Sequence, residues 1–371
     1  MQTKIFAMYL PQYHSIPEND LYWGKGFTDW VTVKKAQPLY KGHNQPRIPL
    51  HNRYYDLSNK EDVAWQVNLA KEYGISGFGI YHYWFNNDKN LLTTPARIIL
   101  ENNNLDINYF YAWDNISWKR SWSNVEGNSW APSLEKSKPK HKGPAILIPY
   151  ILGEKADWEN HFNYLLPFFQ DPRYEKKDNM PIFCIFHYDA KIAQMCDYWN
   201  VLARRNGFNG IFFIFRFDSS LEIDPKFSYF KYEPQFSGWS HASLFNRVIN
   251  KFKRLLKVPP HLKRYNYDDI WQSILTNAKS MPQPNIYQGA FVTYDDSPRR
   301  GNRGIEVYGS SPEKFMGYMS RLRDIAQSQK KEYIFLTAWN EWGEGAYLEP
   351  DSMNKYNYLS VIKKIMSEDN E

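Results

Sequence analysis

Eight short apolar runs recur along the chain, at residues 5–10, 75–81, 107–111, 182–186, 211–215, 229–232, 288–293 and 333–336. Each is too short for a buried helix and ends in a cluster of polar, aromatic or turn-forming residues, so each reads as a strand. Most of the intervals have helical periodicity. Ser58 and Glu61 are spaced as a capping box ahead of Val63, Val67, Ala70 and Tyr73. Further helices are expected over 95–101, 157–169, 190–205, 243–257, 268–279, 312–327 and 357–366. Strands alternating with helices in this order predict a parallel sheet, closed into a single (β/α)8 TIM-type barrel with long loops at its carboxyl-terminal rim. An open doubly wound sheet is the rival, but it binds nucleotide through G-x-G-x-x-G after its first strand, and that pattern is absent. Gly74, Gly77 and Gly79 fall before and within a strand, as a helix stop and packing glycines. The length of 371 residues fits one catalytic domain over the whole chain, with a basic insertion at 233–268.

A barrel sends every strand's carboxyl end to one rim. Here those ends carry Tyr9, His82, Asp114, Glu233, Asp295, Glu341 and Glu344. Their neighbours Tyr83, Trp113, Tyr294, Arg299, Trp339, Asn340 and Trp342, with Trp30 from a long loop, complete the candidate substrate-binding set. Taken singly, each has an ordinary reading. His82 suits a hydrogen-bonded structural role, Asp114 a turn cap, and Asp295-Asp296 before Pro298 a turn. Their common place in the register is what favours a site.

The last strand leads into Thr337-Ala338-Trp339-Asn340-Glu341-Trp342-Gly343-Glu344-Gly345. In an extended chain, side chains three apart point to opposite faces, so Glu341 and Glu344 can share a cavity only if the chain turns between them. Gly343 and Gly345 permit that turn. Two carboxyl groups beside aromatic rings suit glycosidic-bond chemistry, in which one protonates a leaving oxygen and the other takes a proton or stabilises positive charge. Solvated loop glutamates are the ordinary alternative.

The composition is consistent with a carbohydrate partner. Aromatic residues make up 18% of the chain, with 14 Trp and 28 Tyr, yet the mean hydropathy is −0.66, so some rings must line polar surfaces. Sugars offer apolar C–H faces and hydroxyl edges to such rings. The net charge of +6 is spread over 46 basic and 40 acidic residues, which with no nucleic-acid motif argues against a nucleic-acid partner. Cys184 and Cys196 offer neither a metal spacing nor a disulfide framework, and no metal or cofactor is expected. With no signal-peptide core and no window of transmembrane length, a cytoplasmic location is expected.

Several motifs together resemble a known family. They are Tyr9-Leu10-Pro11-Gln12-Tyr13-His14, Ile16-Pro17-Glu18-Asn19-Asp20, Trp23-Gly24-Lys25-Gly26-Phe27-Thr28-Asp29-Trp30 and Tyr81-His82-Tyr83-Trp84-Phe85, with the segment from Trp339 through Tyr347-Leu348-Glu349-Pro350. The chain is similar along nearly its whole length to WbsX-type proteins of surface-polysaccharide biosynthesis, which are related to glycoside hydrolase family 99. That family comprises metal-independent retaining endo-α-mannosidases and mannanases on a (β/α)8 barrel. The resemblance implies that Glu341 takes the proton of a sugar 2-hydroxyl, so that O2 attacks the anomeric carbon and a 1,2-anhydro sugar forms. It implies that Glu344 protonates the leaving oxygen and then activates water, and hence that Glu344 sits where desolvation raises its pKa. Two segments depart from the WbsX pattern. Trp113-Asp114-Asn115-Ile116-Ser117-Trp118-Lys119-Arg120 stands where that pattern has an Asn-Glu-Asn-Trp type of segment, and Tyr294-Asp295-Asp296-Ser297 replaces a Trp-Asp-Asn-Thr-like one. Mannose specificity is therefore not carried over.

The expectation is a retaining glycosidase or transglycosidase acting on O-antigen or capsule type oligo- or polysaccharide, lipid-linked forms included. A WbsX-type glycosyltransferase is the alternative, weakened by the lack of a D-x-D motif with a nucleotide-binding fold. A glycan-binding protein with an inactive site is the non-enzymatic alternative. Residues 243–257 place Arg247, Lys251, Lys253, Arg254 and Lys257 among apolar residues at helical spacing. That stretch reads as the solvated basic face of an outer helix, or as a peripheral contact with anionic lipid at the inner membrane face.

Overall fold

The computed structural model describes residues 3–119, 146–220, 222–240 and 262–367. The eight apolar runs form strands β1 (Lys4–Tyr9), β2 (Gly77–Asn86), β3 (Asn108–Trp113), β4 (Met180–Ile185), β5 (Phe212–Arg216), β6 (Ser228–Phe230), β7 (Ile286–Phe291) and β8 (Tyr333–Thr337). Consecutive strands pair in parallel all the way round, and β1 pairs with both β2 and β8, so the sheet closes into the expected (β/α)8 barrel. The outer helices are α1 (Lys60–Glu72), α2 (Thr94–Glu101), α3 (Lys155–Gln170), α4 (Ala190–Arg205), α5 (Tyr267–Ser280), α6 (Pro312–Ser328) and α7 (Asn357–Ser367). Among the described residues no helix is long and apolar enough to cross a membrane.

The barrel interior is filled by phenylalanines. The Phe6 and Phe110 rings lie 5.2 Å apart, Phe110 and Phe335 5.8 Å, and Phe335 and Phe230 5.1 Å. Pairs at such separations contribute about 0.5–1.5 kcal/mol beyond the burial of their area. β2 makes room for them. A Cβ on Gly77 would stand 2.4 Å from the Phe6 ring, and one on Gly79 2.7 Å from the Phe110 ring, so the two glycines pack as the sequence suggested. Gly74, at φ 81°, stops α1.

Two local expectations are corrected. The Ser58 and Glu61 capping box does not form, because Asp56 Oδ1 accepts from both the backbone N–H and the hydroxyl of Ser58, and α1 starts after Asn59. The second strand runs to Asn86 rather than stopping at Tyr81, and turns back to pair antiparallel with Lys89–Leu91. The helix expected at 243–257, with the membrane contact assigned to it and most of the basic insertion at 233–268, lies outside the described residues, as does the polar excursion at 124–143.

Residues 10–59 lie between β1 and α1 and contain the short helices Pro17–Trp23 and Asp29–Lys35. This segment brings Tyr13, Asp29, His43, Gln45 and Arg47 into contact with residues that follow β7 and β8.

Candidate active site

Beyond β8 the chain is tied back to β1. Trp339 N donates to Met8 O at 2.7 Å, and the Asn340 side chain accepts from Leu10 N at 2.7 Å and donates to Leu10 O at 3.0 Å. Asn340–Glu341 then pairs antiparallel with Ala346–Tyr347, and the single 3-10 turn Trp342–Glu344 joins them. Gly345 closes the turn in the left-handed region at φ 56°. The chain therefore does turn after Glu341, and both carboxylates face one guanidinium.

That guanidinium belongs to Arg299, in the short helix Ser297–Arg300 that follows β7. Its Nη1 lies 2.6 Å from Glu344 Oε1 and its Nη2 3.2 Å from Glu341 Oε2. Its Nε and Nη2 also meet Asp29 Oδ1 and Oδ2 at 3.2 and 3.0 Å. Asp29 Oδ2 further accepts from Gly343 N at 3.1 Å, so this aspartate grips both the arginine and the turn that carries the glutamates. A Cβ on Gly343 would fall 2.5 Å from both Arg299 Nε and Asp29 Oδ2, which makes glycine the residue that allows this approach. The Tyr13 hydroxyl donates to Asn340 O and accepts from Trp342 N at 3.1 Å, fixing the turn from below.

The two glutamates differ in environment. The Glu341 side chain is 7% exposed, and burial pushes its pKa up to about 8, with Arg299 opposing the shift and the charges of Glu344 and Asp29 adding to it. The Glu344 side chain is 25% exposed. The desolvation expected for Glu344 therefore falls chiefly on Glu341, because the turn directs the first acid inward and the second toward the opening. Four tyrosines surround the pair. Burial raises the phenol pKa values of Tyr81, Tyr83 and Tyr232, and the Glu341 charge raises all three further. Tyr294 is raised by burial and then by Glu344. Tyr81 Oη and Tyr232 Oη are 2.6 Å apart.

The structure gathers only part of the candidate set. Glu341, Glu344, Arg299, Tyr83 and Tyr294 converge, and Asp114 stands beside Tyr83 with its carboxyl pushed up to about 6 by burial against the opposing charge of Arg216. Tyr9 instead points outward and donates to Gln66 Oε1 at 2.6 Å. His82 Nε2 pairs with His161 Nε2 of α3 at 2.8 Å, and burial lowers its pKa to about 3. Trp113 donates to Trp84 O beside His161. Glu233 is fully buried against Ser237, which donates to it through its hydroxyl and its backbone N–H.

Trp30, Trp339, Asn340 and Trp342 are buried in the support beneath the pair. Trp342 stacks on Tyr347 at 3.7 Å and donates to Glu349 Oε2 at 2.6 Å. Asp295 accepts from His43, Gln45 and Ser297 N; burial pushes its pKa up, but these bonds and the Arg47 charge bring it down to about 2. Asp29, Tyr13, Tyr81 and Tyr232 were not among the candidates. Asp29 and Tyr13 lay within the recognised motifs, but both belong to the segment between β1 and α1, where Asp29 opens a short helix, rather than to the last residues of a strand. Among the described residues no group of three or more His, Cys, Asp or Glu side chains could hold a metal ion.

A family model described as glycosyltransferase WbsX matches residues 5–362. Uncharacterized protein WxcX from Xanthomonas campestris pv. campestris strain B100 is 27% identical over 379 residues, covering 99% of this chain and 50% of that protein. The chain thus spans about half the length of the curated relatives it matches. The GH99 endo-alpha-mannosidase from Bacteroides thetaiotaomicron superposes with a TM-score of 0.56 at 14% identity, covering 98% of this chain and 96% of the other. A glycoside hydrolase-like protein superposes with a TM-score of 0.58 at 12% identity, covering 98% and 94%. At these identities the likeness shows a shared fold.

Proposed function

The chain belongs to the WbsX glycosyltransferase family, and from that premise we propose that it is a retaining glycoside hydrolase or transglycosidase of surface polysaccharide glycans. The observation that carries this reading is the placement of Glu341 and Glu344 on one turn, both bound to Arg299 and ringed by tyrosines at the barrel rim. Glu341, the buried member, accepts the proton of the sugar 2-hydroxyl while O2 attacks the anomeric carbon and the glycosidic bond breaks. Glu344, nearer the opening, gives its proton to the departing oxygen. It then takes a proton from the entering water or acceptor hydroxyl, which opens the 1,2-anhydro ring with net retention, and Glu341 returns its proton to O2. This differs from the usual retaining scheme, in which a carboxylate is itself the nucleophile. Arg299 balances the negative charge that passes between the two carboxylates.

A glycosyltransferase is the second reading, favoured by the family's description. The two share the same pair of acids and differ in donor and acceptor. The test is incubation with the polysaccharide or lipid-linked oligosaccharide made by neighbouring genes, with the product anomer followed by NMR. Free reducing ends or transferred glycan of retained configuration support the proposal. Turnover confined to a nucleotide-sugar donor with a divalent metal overturns it in favour of the transferase.

A further inference from the structure

Arg216 ends β5 on the same rim as the acid pair and is half-buried. Among the described residues its guanidinium makes no ion pair and no hydrogen bond; it lies 5.8 Å from the centre of the Phe186 ring. Other rim arginines have protein partners, although Arg47 Nε is buried without one. Arg299 meets three carboxylates, and Arg47 donates to Thr293 Oγ1 and Gly345 O. A half-buried arginine with no protein acceptor for its five N–H groups has capacity for a bidentate partner.

Arg216 also lines a cavity of about 240 Å³, with Ser219, Gln235 and Tyr232 on its walls. The acids near it do not fill its role. Asp114 and Asp218 both stand beyond ion-pair distance, and Asp218 Oδ1 accepts from Ser220 N at 2.9 Å and Ser220 Oγ at 2.8 Å. His187, the other titratable neighbour, is kept neutral by burial first and by the Arg216 charge second, its pKa lowered to about 4. Tyr232 joins this cavity to the reacting pair: it lines the cavity and its hydroxyl lies 2.6 Å from that of Tyr81, and its phenol pKa, raised by burial, is raised further by Glu341 and Glu344 and lowered by Arg216.

We propose that this cavity is a subsite for an anionic group on the glycan, in which the Arg216 fork takes a carboxylate or phosphate oxyanion on a unit next to the one that reacts. The choice of an oxyanion follows from the geometry of guanidinium, which matches two coplanar oxygens. The inference rests on reading Glu341 and Glu344 as a glycan-acting pair, and binding measurements separate the two.

The wild-type chain, Arg216→Gln and Arg216→Lys are titrated with a glucuronate-containing oligosaccharide and with its carboxyl-reduced neutral counterpart, each with and without inorganic phosphate. The wild type is expected to prefer the acidic sugar by about tenfold or more if the group is a carboxylate. If the group is a phosphate, inorganic phosphate binds the wild type and not Arg216→Gln. Arg216→Lys keeps the charge and loses the fork, so it retains part of either effect, and a folded lysine variant guards against loss of structure in the glutamine one. A wild type with neither effect, or an Arg216→Gln variant that keeps the wild-type one, overturns the subsite. Arg216-dependent anion binding without turnover of any glycan upholds the subsite and counts against the catalytic reading alone.

Discussion

Arg299 and Asp29 meet side by side, Nε to Oδ1 at 3.2 Å and Nη2 to Oδ2 at 3.0 Å, across 270 positions of sequence. This two-point contact fixes the plane of the guanidinium, and its outer edge is left for Glu341 and Glu344. Asp29→Asn puts an NH2 group against N–H donors and releases that plane. Turnover is expected to fall about 100-fold, the scale of a small misplacement of reacting groups. Because the Asp29 charge helps to raise the Glu341 pKa, the Glu341 limb of the pH-rate profile should also move to lower pH. Steady-state kinetics across pH check both, and an unmoved limb counts against the coupling.

Gly343→Ala tests the close approach from the other partner. The added methyl overlaps Arg299 Nε and Asp29 Oδ2, each 2.5 Å from the built Cβ, so either the turn or the guanidinium has to shift. Overpacking of this kind costs about 1–3 kcal/mol. A lowered melting temperature with a loss of turnover is the expected result, and a fully active, fully stable variant would show that the turn is looser than the geometry indicates.

Replacing either acid removes proton transfer while sparing most of the contact surface. Glu341→Gln and Glu344→Gln should each lower turnover by about 100- to 10,000-fold and leave glycan affinity within a few-fold. Full activity in both variants would sink the mechanism. A 2-hydroxyl base works only when deprotonated, so with Glu341 raised to about 8, kcat/KM should climb with pH along a limb near that value, while the acid that must stay protonated sets any fall at higher pH. A profile with no rising limb near pH 8 would count against Glu341 as the base.

The barrel was legible in the sequence because its evidence is periodic: apolar runs and amphipathic intervals repeat on a scale that short-range pattern can register. The acid pair was legible too, since the glycines flanking Glu344 announce a turn. Side-chain direction was not. Tyr9, His82 and Trp113 lie at strand ends as the register required, but a one-residue change in a strand moves a side chain from the rim to the helix layer, and these three lie against α1 or α3. Asp29 illustrates the converse. Its role arises from how the segment after β1 folds across the rim, and no local periodicity encodes that. Glu349 was quoted as part of a motif, yet its three hydrogen bonds, from Tyr55, Gln66 and Trp342, show a support for the turn that could be assigned only in three dimensions.

Buried carboxyl groups also make stability depend on pH in an uncommon direction. Burial pushes Glu341 up to about 8, and Glu233 and Glu349 up to about 7. A carboxyl whose pKa is higher in the folded chain than in the unfolded one binds more protons when folded, so its contribution to stability declines as pH rises between the two values. The buried histidines act oppositely, but His82 and His187, lowered to about 3 and about 4, have given up that contribution's pH dependence by about pH 6.5, the ordinary histidine value. Lys231 and Lys331, lowered to about 8, begin to matter only above that pH. Between pH 6.5 and 8 the carboxyl groups therefore dominate, and the folded state should lose about 3 kcal/mol, roughly half of it through Glu341. Urea unfolding of the wild type at several pH values measures the slope. Glu341→Gln, which cannot ionise, should flatten it between pH 7 and 8, and an equal slope in both proteins would show that Glu341 is already ionised in the folded chain at neutral pH.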